Sequence, residues 1–345
     1  MSTGIVEDRR YAEHDMGPGH PESPQRIEAI NKMLEEEKIF SAYTLIEPRL
    51  AEEEEIELIH HPSYFEKIKK TSGKQRVYLD PDTSTSARSY ETALLAAGGL
   101  MKAADMIMEQ KIRNGFALVR PPGHHAEASE ARGFCLFNNV AIAAQYLIEK
   151  YGLKRVLIVD WDLHHGNGTQ HSFYSRSDVL YFSTHQFPHY PGTGYWNEVG
   201  SGDGEGYTVN VPLSPGKGDD DFIFIFQQIL SPITAAYNPE FILVSAGFDI
   251  FEGDPLGGMD VSAKGFGALA AELMTMAHAT ARDRLLFTLE GGYNLTGLAD
   301  GVKNVLLVLG GKEKGPAKTP RVSASTLKEL EPIFKVQGKY WAFKA

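Results

Sequence analysis

Apolar residues fall in two alternating rhythms along this chain. Short runs at 116–119, 155–159, 179–183, 207–211, 241–245 and 285–289 are dense in Val, Ile, Leu, Phe and Tyr, as buried strands are. Between most of them, apolar positions recur every three or four residues, which predicts helices at 89–110, 138–150, 219–236, 262–279 and 295–309. Another helix is predicted from Pro24, suited to a first helical position behind Ser23, to about Glu37. Strands alternating with helices predict an α/β fold, a mainly parallel sheet with helices on both faces. No fixed-period repeat and no Pro/Ser/Gly-rich linker divides the chain. Residues 1–345 are therefore expected to form a single domain, with 310–345 supplying a surface loop (310–320) and a last helix (325–334) that packs on it.

The polar positions that interrupt this pattern are not scattered. Four polar clusters, at 120–125, 160–164, 247–249 and 290–293, each follow a predicted strand. In an open parallel sheet, ligand sites lie beyond the carboxyl ends of the strands, so the four clusters should share one rim. In the segment VLIVDWDLHHGNG, Asp160, Asp162 and His164 occupy every second position. An extended backbone turns such residues to one side, while Trp161, Leu163 and His165 face away. Two carboxylates and an imidazole suit a divalent first-row ion.

Asp249, at the end of FILVSAGFD, is the natural third ligand beside Asp162 and His164. Three protein ligands leave a coordination position open for water or a substrate carbonyl, as metal-assisted hydrolysis requires. His124 and His125 stand together behind Pro121, Pro122 and Gly123, a stiff turn that presents both rings. Amide hydrolysis needs a base for water and an acid for the leaving amine, work that paired imidazoles can share. Asp160 exceeds a three-ligand site and is assigned to orienting one of the histidines. Asn167 is assigned to holding the other ring through a neutral hydrogen bond. Tyr293, after two glycines in LEGGYN, can donate to an oxyanion, a contribution of roughly 2.7–4 kcal/mol to the barrier. Taken singly, these residues have ordinary readings as helix caps, loop salt bridges or packed aromatics. Four coincident clusters favour a site.

Composition narrows the partners. A formal net charge of −11, from 34 basic and 45 acidic residues, disfavours general binding to nucleic acid or anionic membrane and welcomes a cationic substrate. Cys135 is the only cysteine, which excludes an internal disulfide. The first residues lack an apolar signal-type core, and no uncharged stretch is long enough to span a bilayer. A cytoplasmic protein is the expectation.

With these residues in place, the chain resembles the zinc-dependent histone deacetylase and acetylpolyamine amidohydrolase superfamily over about residues 1–310. HPESPQRI, RPPGHHA with GFCLFNN, DWDLHHGNGTQ, YPGTG, SAGFD with GDPLGG, and LEGGYN occur in the family's order. The resemblance implies an arginase/deacetylase-like fold and one zinc ion on Asp162, His164 and Asp249. It implies His124 and His125 as the catalytic pair, with His125 the favoured proton shuttle, supported by Asp160 and Asn167 respectively. Tyr293 would polarise the acyl carbonyl, Gly133 would accept a hydrogen bond from the substrate amide, and Phe134 and Tyr190 would wall a narrow tunnel. A structural potassium ion is implied at Asp160, Asp162, His164, Ser183 and Thr184, and an outer cation site at Phe173, Arg176, Val179 and Tyr207.

Details within the motifs refine the branch. Asn167 and the surroundings of Trp161 match the class II pattern, and Tyr293 is the tyrosine of competent members, so activity is expected. Leu256 occupies a rim position where the polyamine-selective branch carries a glutamate. Tyr190 replaces the phenylalanine usual in the tunnel, and Leu79 stands where many class I relatives have an aspartate that grips peptide backbone. The main expectation is hydrolysis of an acetyl-lysine-type amide, on a protein, peptide or small acylated amine, to free amine and acetate; an oligomer is compatible with this. The alternatives are an acetylpolyamine or other small-amide amidohydrolase, a protein that binds acyl ligands without cleaving them, and a two-metal ureohydrolase of arginase type.

Overall fold

The computed structural model describes residues 2–313 and 319–343. In chain order its strands are β1 Thr3–Val6, β2 Thr44–Ile46, β3 Val77–Tyr78, β4 Ser84–Thr85, β5 Asn114–Ala117, β6 Val156–Asp160, β7 Val179–Gln186, β8 Thr208–Leu213, β9 Phe241–Ala246 and β10 Leu285–Leu289. The α-helices are α1 Pro24–Glu36, α2 Glu53–Ile56, α3 Pro62–Lys69, α4 Ser89–Met108, α5 Asn139–Tyr151, α6 Asn167–Phe173, α7 Asp219–Ile225, α8 Ser231–Tyr237, α9 Ala263–Thr280, α10 Leu295–Leu309 and α11 Ala324–Gln337. Among the described residues, eight strands form one sheet in the order β2-β1-β5-β10-β9-β6-β7-β8, and every pairing in it is parallel. β3 and β4 form a separate antiparallel ribbon. The expected α/β architecture, a parallel sheet flanked by helices, is the observed one.

Burial explains the strand composition. Every residue of β6, β9 and β10 is buried, as in a parallel sheet covered on both faces, where strands read as continuous apolar runs. The sheet order sets β5, β10, β9 and β6 side by side at its centre. Asp160 at the end of β6 is in register with Ser245 of β9, and Ser245 with Thr288 of β10. The chain segments leaving these four strands carry all four polar clusters, so the shared rim expected from sequence is realised.

The structure corrects some boundaries. β5 begins at Asn114 and ends at Ala117, although Leu118 continues the pairing by donating its N–H to Val6 O at 2.9 Å. The single helix expected at 219–236 is α7 and α8 joined through a wide turn at Phe226–Leu230, in which Ser231 N–H donates to Phe226 O, five residues back. Pro232 accounts for it. A proline ring clashes with the carbonyl four residues earlier and offers no N–H, and one wide turn relieves both faults. The loop expected at 310–320 contains residues 314–318, which lie outside the described residues. Beyond it, α11 binds the edge of the sheet through Gln337 Nε2 to Thr208 O at 3.1 Å and Lys217 Nζ to Glu329 Oε1 at 3.0 Å. No helix among the described residues is long and apolar enough to cross a membrane.

Candidate active site

β6 delivers the first groups. Past Asp160 the alternation continues, so Trp161 and Leu163 are fully buried in the core while Asp162 and His164 turn to the rim. Asp162, His164 and Asp249 each offer one ligand atom, and these atoms lie within 4.8 Å of one another. His164 Nδ1 is 3.1 Å from Asp162 Oδ1 and 3.1 Å from Asp249 Oδ2. The remaining oxygen of each carboxylate is tied to backbone: Gly291 N–H donates to Asp162 Oδ2 at 2.8 Å, and Leu163 N–H donates to Asp249 Oδ1 at 2.8 Å. A side chain at Gly291 would collide with both carboxylates, which is why glycine follows Glu290. Burial and the nearby Asp162 charge push the Asp249 carboxyl up to about 7. Burial opposes a charge on His164, yet the two carboxylates outweigh it and raise the imidazole to about 9. Crowded negative charge of this kind, out of water, favours a cation. The group fits a divalent metal.

The histidine pair enters from the loop after β5. Glu290, at the end of β10, accepts from Gly123 N–H at 2.7 Å and His124 N–H at 3.2 Å through Oε2, and from Ser245 Oγ at 2.9 Å through Oε1. It thereby fastens that loop to β9. His124 and His125 are buried, with ring centroids 4.0 Å apart. His124 Nδ1 lies 3.0 Å from Asp160 Oδ2, which also accepts from the Tyr181 hydroxyl at 3.0 Å, while Asp160 Oδ1 accepts from Asp162 N–H at 3.1 Å. His125 Nδ1 lies 2.7 Å from Asn167 Oδ1. Burial works against a charge on either ring. For His124 the carboxylates of Asp160, Asp162 and Glu290 outweigh it and raise the imidazole to about 10; for His125, burial and the charges on His124 and His164 hold it well below the usual histidine range.

A cavity of about 180 Å³ rises from these groups, lined by His124, His125, His164, Gly133, Phe134, Tyr190, Leu256, Tyr293, Pro122, Asp82 and Gly291. A wider basin of about 510 Å³ shares Asp82 and Tyr190 with it and also touches Leu79, Asp80 and Arg132. Gly133 has φ +53° and packs its α-carbon against the His125 ring, where a Cβ would collide. Its carbonyl accepts from Cys135 Sγ at 3.3 Å. Burial pushes the Tyr293 hydroxyl well above its ordinary range, so it stays a neutral donor. Its ring sits under the Arg26 guanidinium, 5.0 Å away.

The residues expected around a monovalent cation are also adjacent. Asp160 pairs in register with Ser183 on β7, Ser183 Oγ lies 2.9 Å from His185 Nδ1, and Thr184 Oγ1 is buried without a hydrogen-bond partner among the described residues. In the outer group, Phe173 O accepts from Arg176 N–H, the Arg176 side chain is engaged by Asp178 and Gln145, and Tyr207 O accepts from Tyr181 N–H. Sequence reasoning gave no role to Glu290, Tyr181, Glu127 or Asp82. Glu290 was within reach, since it stands in a polar cluster after a strand. Tyr181 was not, because it reads as one more apolar strand residue.

Fold and site together define a buried Asp–His–Asp metal-type centre beside paired histidines on a parallel α/β sheet. Residues 20–309 match the histone deacetylase domain. The chain is 38% identical to a probable deacetylase of Archaeoglobus fulgidus, covering 99% of both chains. It is 40% identical to histone deacetylase 15 of Arabidopsis thaliana, covering 99% of this chain and 63% of that one. To human histone deacetylase 7 it is 36% identical over 99% of this chain and 40% of the relative. The chain thus spans nearly all of the archaeal relative and only part of the eukaryotic ones. The crystal structure of an HDA15 HD domain superimposes with a TM-score of 0.92 at 40% identity, covering 99% of this chain and 95% of that one. The chain belongs to the histone deacetylase family, and the family supports hydrolysis of acetylated substrates.

Proposed function

We propose that this protein is a zinc-dependent deacylase that cleaves an acetyl-lysine-type amide, a linear C–N bond, to free amine and acetate. The observation that carries the reading is the buried Asp162–His164–Asp249 group, whose His164 lines a 180 Å³ cavity together with His125 and Tyr293. One zinc ion on these residues would supply Lewis-acid activation of water and of the acyl carbonyl. The chain's own groups do the rest. His125, neutral in its pocket, takes a proton from the attacking water and returns it to the leaving amine. His124, held charged by Asp160, stabilises negative charge developing beside it. Tyr293 donates to the oxyanion. Gly133, Phe134, Tyr190 and Leu256 confine an apolar alkyl stem, and Leu256 adds no charge for a second ammonium. Asp160, Asp162, His164, Ser183 and Thr184 would hold a structural potassium ion, for which the unpartnered Thr184 hydroxyl is suited. We assign the whole chain to one catalytic domain, acting in the cytoplasm on acylated lysine or a small acylated amine.

The test is turnover of an acetyl-lysine peptide and of acetylspermidine by metal-quantified protein, native and Asp162→Ala. We expect one zinc per native chain, faster cleavage of the peptide, and loss of both metal and turnover in the variant. Preference for acetylspermidine would move the substrate to polyamines. Two transition ions per chain would point to a ureohydrolase, and hydroxamate binding without any hydrolysis would make the protein a binder.

A further inference from the structure

Asn167 holds His125 through an amide, and an amide has two ends. Turned one way it offers His125 Nδ1 an acceptor; turned the other way it offers a donor and would force the opposite imidazole tautomer. His125 alone cannot choose between them, because a neutral imidazole carries one N–H and one lone pair. The partners of Asn167 Nδ2 decide. That nitrogen donates to Glu127 Oε1 at 2.5 Å and, more weakly, to the His125 carbonyl at 3.3 Å. Both partners accept only, so Nδ2 is pinned and Oδ1 is left facing His125 Nδ1 at 2.7 Å.

Glu127 is itself held in place. Its carboxylate accepts from His171 Nδ1 at 2.9 and 3.0 Å. Asn167 and His171 are four apart on α6, hence on one face of that helix, and Glu127 spans them. Its side chain keeps 18% of its surface exposed, against 51% for His171. A line of contacts therefore runs from the buried imidazole outward through Asn167 and Glu127 to a surface histidine.

We infer that Glu127 is a positioning residue: it orients the Asn167 amide so that His125 carries its proton on Nδ1 and presents a bare Nε2 to the cavity. The inference rests on the proposed reading of His125 as the base, but its structural half can be read without any turnover. With ¹⁵N-labelled histidine in the zinc-loaded protein, and with the His125 signals identified by their loss in His125→Ala, the native protein should show a protonated Nδ1 and an unprotonated Nε2. Glu127→Leu should give a mixture of tautomers and lower kcat by about tenfold or more, the scale at which groups supporting a site's histidines act, with KM and metal content near native. Glu127→Gln, whose amide oxygen can still accept from Asn167 Nδ2, should restore the native tautomer and most of kcat. Should the leucine variant not fold, Glu127→Ala carries the same expectation. An unchanged tautomer in Glu127→Leu or Glu127→Ala overturns the positioning role whatever the rate. A changed tautomer with native kcat upholds it and overturns the reading of His125 as base.

Discussion

His124 and His125 are adjacent in sequence, equally buried, and in contact with ring centroids 4.0 Å apart and planes inclined by 43°, yet the fold gives them opposite electrostatic settings. His124 meets the Asp160 carboxylate directly at 3.0 Å, has Asp162 Oδ1 3.8 Å from its other nitrogen, and carries Glu290 under its backbone N–H. His125 meets a neutral amide and sits among other imidazoles, including His164 with its centroid 5.9 Å away. Burial disfavours a charge on both. What separates them is the charge around each ring: the carboxylates of Asp160, Asp162 and Glu290 at His124, against the charges of His124 and His164 and a neutral amide oxygen at His125. The proposed roles, charge stabilisation for His124 and proton transfer for His125, would thus follow from their neighbours and not from the residue type.

The largest break in this comparison comes from truncating each ring. His125→Ala should lower kcat/KM by about 10²–10⁴-fold, the usual worth of a positioned general base, with metal retained. His124→Ala should differ in kind. It leaves Asp160 buried without its imidazole, so the greater share of its cost should fall on stability, about 3–5 kcal/mol, as when one partner of a buried pair is removed. Rate assays and denaturant melts on both variants check this. Equal losses in both measures would erase the distinction.

A smaller effect, chiefly on stability, is expected where buried charge lies outside the cavity lining. Glu22 is buried against Arg120, with Oε2 at 2.7 Å from Nη2, and against Arg26 at 3.1 Å and His14 Nε2 at 3.4 Å. Burial pushes the Glu22 carboxyl up, but Arg120 and His14 outweigh it and hold it well below 4.5. A carboxyl depressed in the folded state contributes stability that is present above its unfolded pKa and lost as pH falls through the folded one. Native protein should therefore lose stability in acid. Glu22→Gln should be less stable near neutrality by about 3 kcal/mol, since the buried guanidinium groups lose their counter-charge, and should show a flatter acid slope. An acid slope identical to the native one would show that Glu22 does not titrate in this network.

These expectations also mark how far sequence reading reaches. The Asp160, Asp162, His164 alternation was legible because a strand fixes side-chain direction with period two, so spacing in sequence is geometry in space. The core strands were legible for the same reason. β1 and β2 were not: at four and three residues they are too short to show a pattern, and only the pairing of β1 to β5 and of β2 to β1 makes them strands. The wide turn in the helix before β9 depends on how Pro232 is accommodated, which periodicity does not encode. Within the site, the pairing of Asp160 with His124 and Asn167 with His125 came from resemblance, since residues decades apart in sequence meet only through sheet order. Glu127 stood one residue past the RPPGHHA motif and carried no signal of its own, because its meaning lies in the amide it turns.

The comparison is sharpened most finely by making the two histidines alike without changing total charge. In Asn167→Asp combined with Glu127→Gln, the carboxylate moves from one residue away into direct contact with His125 Nδ1, as Asp160 contacts His124. An adjacent negative charge favours the protonated imidazole, so the His125 pKa rises. The base must be neutral to act; the acid limb of kcat/KM should therefore move to higher pH, by about one unit or more, while the plateau rate changes little. One unit corresponds to about 1.36 kcal/mol and a tenfold loss on the acid side. The single Asn167→Asp change is a weaker probe, because the new carboxylate would face Glu127 at hydrogen-bond distance and one of the two would keep a proton. A pH profile of the double variant that overlays the native one would mean that the atom facing Nδ1 does not set the charge of His125, and the contrast between the two rings would need another cause.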